Sequence, residues 1–260
     1  MESKYVYGGT SDYGAGRETN EDFLAFEVLS EEVLFGVIAD GAGSKQCGFA
    51  IQPAVVAAVE AVETVRRLYN ANPELITAYP VEALTEAMSV ANRVIGVMKT
   101  SNEEAYSGFG VCMSCCLIVG SKFFFSHCGN TRIYLIRHLP DGAARIIQLT
   151  RDHTKAEEMV EEGTLAGEEY YAHPARYTYT SGLGFAVSPT IQTYEGTLKA
   201  GDLLVLTTDG IHYAIRPEAI SDIILQSGDW ATASKTLIEA AKMQKMQDNM
   251  TAAVIFVPVS

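Results

Sequence analysis

Several acidic residues of this chain sit where they could act together. Asp40-Gly41 closes the apolar run Val33-Leu34-Phe35-Gly36-Val37-Ile38-Ala39, and Asp209-Gly210 follows Leu203-Leu204-Val205-Leu206-Thr207-Thr208. Asp248 stands just before the last apolar run, and Asn20-Glu21-Asp22 lies near the start. Carboxylates at strand ends can converge from distant segments. With few histidine or thiolate partners, such a cluster suits hard divalent cations, Mg2+ or Mn2+. Two such ions roughly 3.5–4 Å apart can share a water and lower its pKa, giving hydroxide for in-line attack on phosphorus. The alternative is plain: Asp-Gly is a common turn, because Asp tolerates and Gly favours left-handed backbone.

The elements that must position these groups can be read from periodicity. Strands are expected at 22–28, 33–39, 109–119, 122–127, 132–137, 144–149, 191–198, 203–208 and 251–257. Helical spacing runs over 48–68 (Ile51, Val55, Val56, Val59, Val62, Val65, Leu68) and 81–98 (Leu84, Met88, Ala91, Ile95, Met98), with further helices at 217–226 and 231–245. Directly joined strands with helices in pairs argue for antiparallel sheets covered by helices, an α+β fold, rather than a doubly wound sheet. No GxGxxG or GxxxxGK is present. No linker, repeat or charge block divides the chain, so 1–260 reads as one domain, with residues 155–179 as a surface flap.

Composition narrows the partners. Nineteen basic residues against 32 acidic ones give a net charge of −13, which argues against nucleic acid. Residues 1–16 lack a signal-peptide core, and the most apolar stretch, 109–119, is too short to span a bilayer. Five cysteines cannot all pair, and four of them (Cys112, Cys115, Cys116, Cys128) lie in or beside strand-like runs as small buried hydrophobes. Cys112 and Cys115 are spaced as a metal CxxC, but positions i and i+3 of a strand face opposite sides. The expected compartment is a reducing cytoplasm, and a monomer is the default.

In order, the motifs are Ser11-Asp12-Tyr13-Gly14-Ala15-Gly16-Arg17-Glu18-Thr19-Asn20-Glu21-Asp22, Ala39-Asp40-Gly41-Ala42-Gly43, Gly129-Asn130-Thr131-Arg132, Leu149-Thr150-Arg151-Asp152-His153-Thr154, Thr208-Asp209-Gly210 and Asp248-Asn249-Met250-Thr251. This order, from about Thr10 to Val257, resembles the metal-dependent serine/threonine protein phosphatases of type 2C (the PPM family) in their compact bacterial form. The resemblance implies a central β-sandwich of two antiparallel sheets flanked by helix pairs, in four layers. It also implies two Mn2+ or Mg2+ ions at one edge. Asp40 would bridge the ions and the Gly41 carbonyl would bind one. Asp209 and Asp248 would hold the other. Glu21 and Asp22 would act directly or through metal-bound water, and Arg17 would grip phosphate oxygens with its planar fork. Arg17, Asp22 and Asp40 are thus the expected catalytic groups. His153 and Thr154 would fix the loop before the flap, and His173 would serve flap structure or substrate contact.

Departures from the family pattern matter. Asp40-Gly41-Ala42 replaces Asp-Gly-His, so no general-acid histidine is assigned. The Gly-Gly pair is Gly43-Ser44, and the Gly-Thr-Thr opening of the central strand is Gly110-Val111-Cys112. Asn130 stands where the family has the Asp of Gly-Asp-Ser-Arg, and Tyr213 replaces an acid four residues after Asp209; both positions are associated with a third, weaker metal. The expected activity is hydrolysis of phosphoserine and phosphothreonine in proteins by a metal-bridging hydroxide. The alternative is a degenerate phosphatase that binds phosphopeptides. A cysteine phosphatase is excluded, since no cysteine has an arginine six residues on. The resemblance implies phosphoprotein partners, including a serine/threonine kinase. The acidic flap, with Glu157, Glu158, Glu161, Glu162, Glu168 and Glu169, is the expected specificity element.

Overall fold

The computed structural model describes residues 2–42, 52–102, 108–140 and 142–258. Among the described residues, ten strands form two five-stranded sheets with every pairing antiparallel. One sheet runs in the order β2(Asp22–Ser30), β3(Val33–Ala42), β4(Gly110–Val119), β5(Lys122–Cys128), β8(Gln192–Thr197). The other runs β1(Val6–Asp12), β10(Met250–Phe256), β9(Leu203–Thr207), β6(Arg132–His138), β7(Ala144–Gln148).

The apolar runs are continuous because the central strands are buried on both faces. Along β3, Val33, Phe35, Val37 and Ala39 pack under the helices α1(Pro53–Ala71) and α3(Pro80–Ser101), whereas Leu34 and Ile38 meet the other sheet. In β9 and β10, Val205, Ala252 and Val254 face the helices α7(Pro217–Ser227) and α8(Ala233–Met243), and Leu204, Leu206 and Ile255 fill the sandwich interior. The four layers expected from the sequence are present. Period-2 alternation also separates the cysteines: Cys115 points into the helix-facing core and Cys116 into the sandwich, and all four described cysteines are free and buried.

Several elements depart from the sequence reading. The strand β1 is not among the strands that periodicity marks, because Val6–Asp12 contains two adjacent glycines and ends in Thr10-Ser11-Asp12; its pairing with β10 supplies the pattern its own side chains lack. A short helix α2(Pro73–Ala78) joins α1 to α3. The expected helix start at 48–51 and the pair Gly43-Ser44 lie outside the described residues. The flap consists of α4(Lys155–Glu161), α5(Gly167–Tyr170) and a 3-10 turn at Pro174–Tyr177. Among the described residues, no helix is long and apolar enough to cross a membrane.

Candidate metal centre

All the acidic motifs meet at one end of the sandwich. Asp22 at the start of β2 is paired in register with Asp40 near the end of β3. Across the sandwich, β9 ends and β10 begins at the same edge. The short helix α6(Asp209–His212) follows β9, and Thr208 N–H bonds the Thr251 carbonyl. Asp248 lies two residues before β10 in this bundle of ends.

Neither Asp-Gly pair is a turn. Gly41 continues β3, Gly210 lies in α6, and neither has a positive φ. Gly210 is required by close approach: a Cβ there would stand 2.0 Å from the Asn249 carbonyl oxygen. Gly14 has φ +72°, and its Cβ would fall 1.8 Å from the Asp248 carbonyl, so side chains at either position would force the acidic segments apart.

A cavity of about 760 Å³ opens at this edge, lined by Arg17, Glu21, Asp40, Gly41, Asp209 and Asp248 together with flap residues Tyr177, Thr178 and Tyr179. Arg17 donates from Nη2 to Asp248 Oδ1 at 2.7 Å and from Nε to the Gln247 carbonyl at 3.2 Å. Asp22 does not reach the cavity wall. Its Oδ2 accepts from the hydroxyls of Thr208 (2.7 Å) and Thr251 (2.8 Å), and the carboxyl lies within hydrogen-bonding reach of Asp40. The structure therefore places Asp22 behind Asp40.

This much buried negative charge is costly in the absence of cations. Burial pushes the Asp40 carboxyl well above the usual range, and the charges of Asp209, Asp22, Asp248 and Glu21 raise it further. Asp209 is raised for the same reasons, against an opposing hydrogen bond from Asn130. Burial pushes Asp22 up to about 7 despite its two hydroxyl donors. Glu21 and Asp248 are also raised by burial, with the Arg17 charge opposing. Glu21 Oε1 is buried with no hydrogen-bond partner. Among the described residues no three acid, histidine or thiol groups are drawn into a ready-made metal cage. The acids instead line an open cavity with unanswered oxygen donors, a set that fits hard divalent cations.

Residues that the sequence reading named without giving a role organise this site. Asn249 Oδ1 accepts from the Glu21 N–H at 2.9 Å, while its Nδ2 donates to the Tyr13 and Thr19 carbonyls, each at 2.9 Å. It ties the Arg17 loop to the Asp248 segment, and with Thr208 and Thr251 forms the scaffold behind the carboxylates. His153 Nδ1 accepts from the Gly129 N–H at 3.1 Å, and Thr154 caps α4, so both hold the loop before the flap as expected. His173 caps the 3-10 turn through the Ala175 N–H and serves flap structure. The flap acids, expected to set specificity, do not line the cavity: Glu158 pairs with Lys155, Glu161 with Arg151, and Glu169 bonds the Ala166 N–H. The cavity wall that the flap provides is aromatic and uncharged.

The chain's relatives agree with this geometry. The protein phosphatase 2C family matches residues 9–254. Protein phosphatase PhpP of Streptococcus pneumoniae is 29% identical over 249 residues, covering 94% of each chain. The serine/threonine phosphatase of S. agalactiae shares the fold with a TM-score of 0.82 at 24% identity, over 97% of this chain and 99% of that one. The catalytic domain of the serine/threonine protein phosphatase PstP, solved with two manganese ions, superposes with a TM-score of 0.75 at 27% identity, over 98% and 99%. The motif order, the paired sheets and the near full-length match lead to one conclusion: the chain belongs to the protein phosphatase 2C family, whose members are named as protein serine/threonine phosphatases.

Proposed function

We propose that this chain hydrolyses phosphoserine and phosphothreonine in proteins, using two Mn2+ or Mg2+ ions held by its carboxylate edge. The observation that carries the reading is the excess of buried negative charge around an open cavity that also holds one arginine. PstP, bound to two manganese ions, supports it. Asp40, central to the cluster, would help hold the ions, with the Gly41 backbone beside it. Asp209, Asp248 and the free Oε1 of Glu21 complete the oxygen donors. Asp22, fixed by Thr208 and Thr251, orients Asp40 from behind. Bound ions supply the Lewis acidity that activates water and offsets charge on the phosphoryl oxygens.

The remaining work falls to the chain. Arg17 uses two of its five N–H groups on Asp248 and Gln247, which leaves donors for phosphate oxygens and fixes the guanidinium at the wall. Tyr177, Thr178 and Tyr179 border the space a phosphopeptide would fill. The partners are phosphoproteins, including those of a serine/threonine kinase whose marks this enzyme would reverse, and the enzyme acts as a monomer in a reducing cytoplasm.

One observation favours the degenerate, phosphopeptide-binding alternative: the Asn130 amide occupies an oxygen of Asp209 where the family offers an acid. Hydrolysis of para-nitrophenyl phosphate and a phosphothreonine peptide, with Mn2+, Mg2+ or EDTA and beside Asp209→Asn, separates the two readings. Turnover that needs metal and is lost in the variant supports the phosphatase. Phosphopeptide binding without phosphate release supports the alternative.

A further inference from the structure

The flap is wired to the carboxylate edge by two residues that the sequence marks as departures from the family pattern. Asn130 is fully buried between β5 and β6. Its Nδ2 donates to Asp209 Oδ2 at 3.1 Å and to the Tyr213 hydroxyl at 3.3 Å. The amide turns its N–H groups to Asp209, and Oδ1 is left without a partner. The Tyr213 hydroxyl in turn donates to the Arg176 carbonyl at 3.1 Å and lies 3.3 Å from the Tyr170 hydroxyl. Tyr170 gives its own proton to Asp152, so the Tyr213 proton is free for the Arg176 carbonyl. The Arg176 guanidinium stacks 4.4 Å over the Tyr213 ring, and Tyr177 meets the same ring edge-on at 5.6 Å. Tyr177 is also part of the cavity wall beside Asp209.

We propose that Asn130 and Tyr213 form a strut that couples cation binding at Asp209 to the seating of the flap, making Tyr213 a positioning residue for the substrate cavity. This rests on Asp209 being a metal ligand. A cation that fixes the Asp209 carboxylate fixes the Asn130 amide, hence the Tyr213 hydroxyl, hence the Arg176 carbonyl and the Tyr177–Tyr179 wall. The strut uses neutral groups at both positions, so the coupling needs no further cation beneath the flap.

Amide hydrogen exchange over residues 167–179, with Mn2+ and with EDTA, tests this in wild type, Tyr213→Phe and Asn130→Ala, with Mn2+ affinity of each measured by calorimetry. In wild type, Mn2+ slows flap exchange about fivefold or more, the worth of about one hydrogen bond. In both variants Mn2+ still binds but the metal-dependent slowing falls below about twofold. A merely structural tyrosine would change exchange equally with and without metal. The proposal is overturned if Tyr213→Phe keeps the wild-type difference, or if wild type binds Mn2+ with no change in flap exchange. If calorimetry detects no Mn2+ binding by wild type, the metal reading itself fails and the strut falls with it.

Discussion

Two clusters of buried charge lie side by side in this molecule and are balanced in opposite ways. In one, every guanidinium nitrogen of the buried Arg132 has a partner: Nε and Nη2 fork onto Asp152 at 2.9 and 2.8 Å, and Nη1 reaches the Tyr134 and Tyr171 hydroxyls at 3.1 and 3.3 Å. Tyr170 completes the Asp152 carboxylate. In the other, Asp22, Asp40, Asp209, Asp248 and Glu21 face one partly exposed arginine and a few hydroxyls. The first cluster is closed and serves the fold. The second is left open, and that imbalance is the observation on which the proposed cation site rests.

The largest effect that could break this contrast is on activity. Asp40→Asn should lower kcat/KM by about a thousandfold or more, as expected where several kcal/mol of cation-supplied stabilisation is lost. The same change should raise the melting temperature in EDTA, because it relieves like-charge repulsion. A variant that melts lower in EDTA would mean the acids are not in excess. In the balanced cluster, Asp152→Asn should cost about 3–5 kcal/mol of stability in urea titration, with or without metal, because it strands a buried guanidinium. A loss under about 1 kcal/mol would show that the fork is not the closed structural unit described. Arg17→Lys should lower kcat/KM about 10–100-fold with little change in melting temperature, since a point charge cannot replace a fork on phosphate.

The smallest effect is in pH. In the metal-free protein the folded-state pKa of Asp22 stands near 7, above the ordinary 3.8. Between those values the folded state holds more protons than the unfolded one. The metal-free protein therefore loses stability as pH rises through this window. Added Mn2+ removes that cost, so the melting-temperature gain on adding Mn2+ should widen by a few degrees from pH 5 to pH 7.5. A gain that is constant or shrinks with pH would contradict the raised carboxyls.

Much of this was legible in the sequence. The paired helices, nearly all strands and the converging acids follow from apolar periodicity and motif order. What was missed depends on contacts between distant segments. The strand β1 owes its form to β10, not to its own pattern. Asn249 stands inside a recognisable motif, but its clamp on Tyr13, Thr19 and Glu21 spans more than 200 positions. The placement of Asp22 behind Asp40 comes from cross-sandwich bonds to Thr208 and Thr251. The flap glutamates looked like a specificity surface because charge is visible in a sequence, whereas the direction each side chain takes is not. The aromatic wall of Tyr177 and Tyr179 is what the cavity meets.

The most direct test of the central claim is calorimetric titration of the metal-free protein with Mn2+. The open carboxylate cluster predicts two ions per chain, with binding weakened at least tenfold in Asp40→Asn. No binding, or binding untouched by Asp40→Asn, would contradict it.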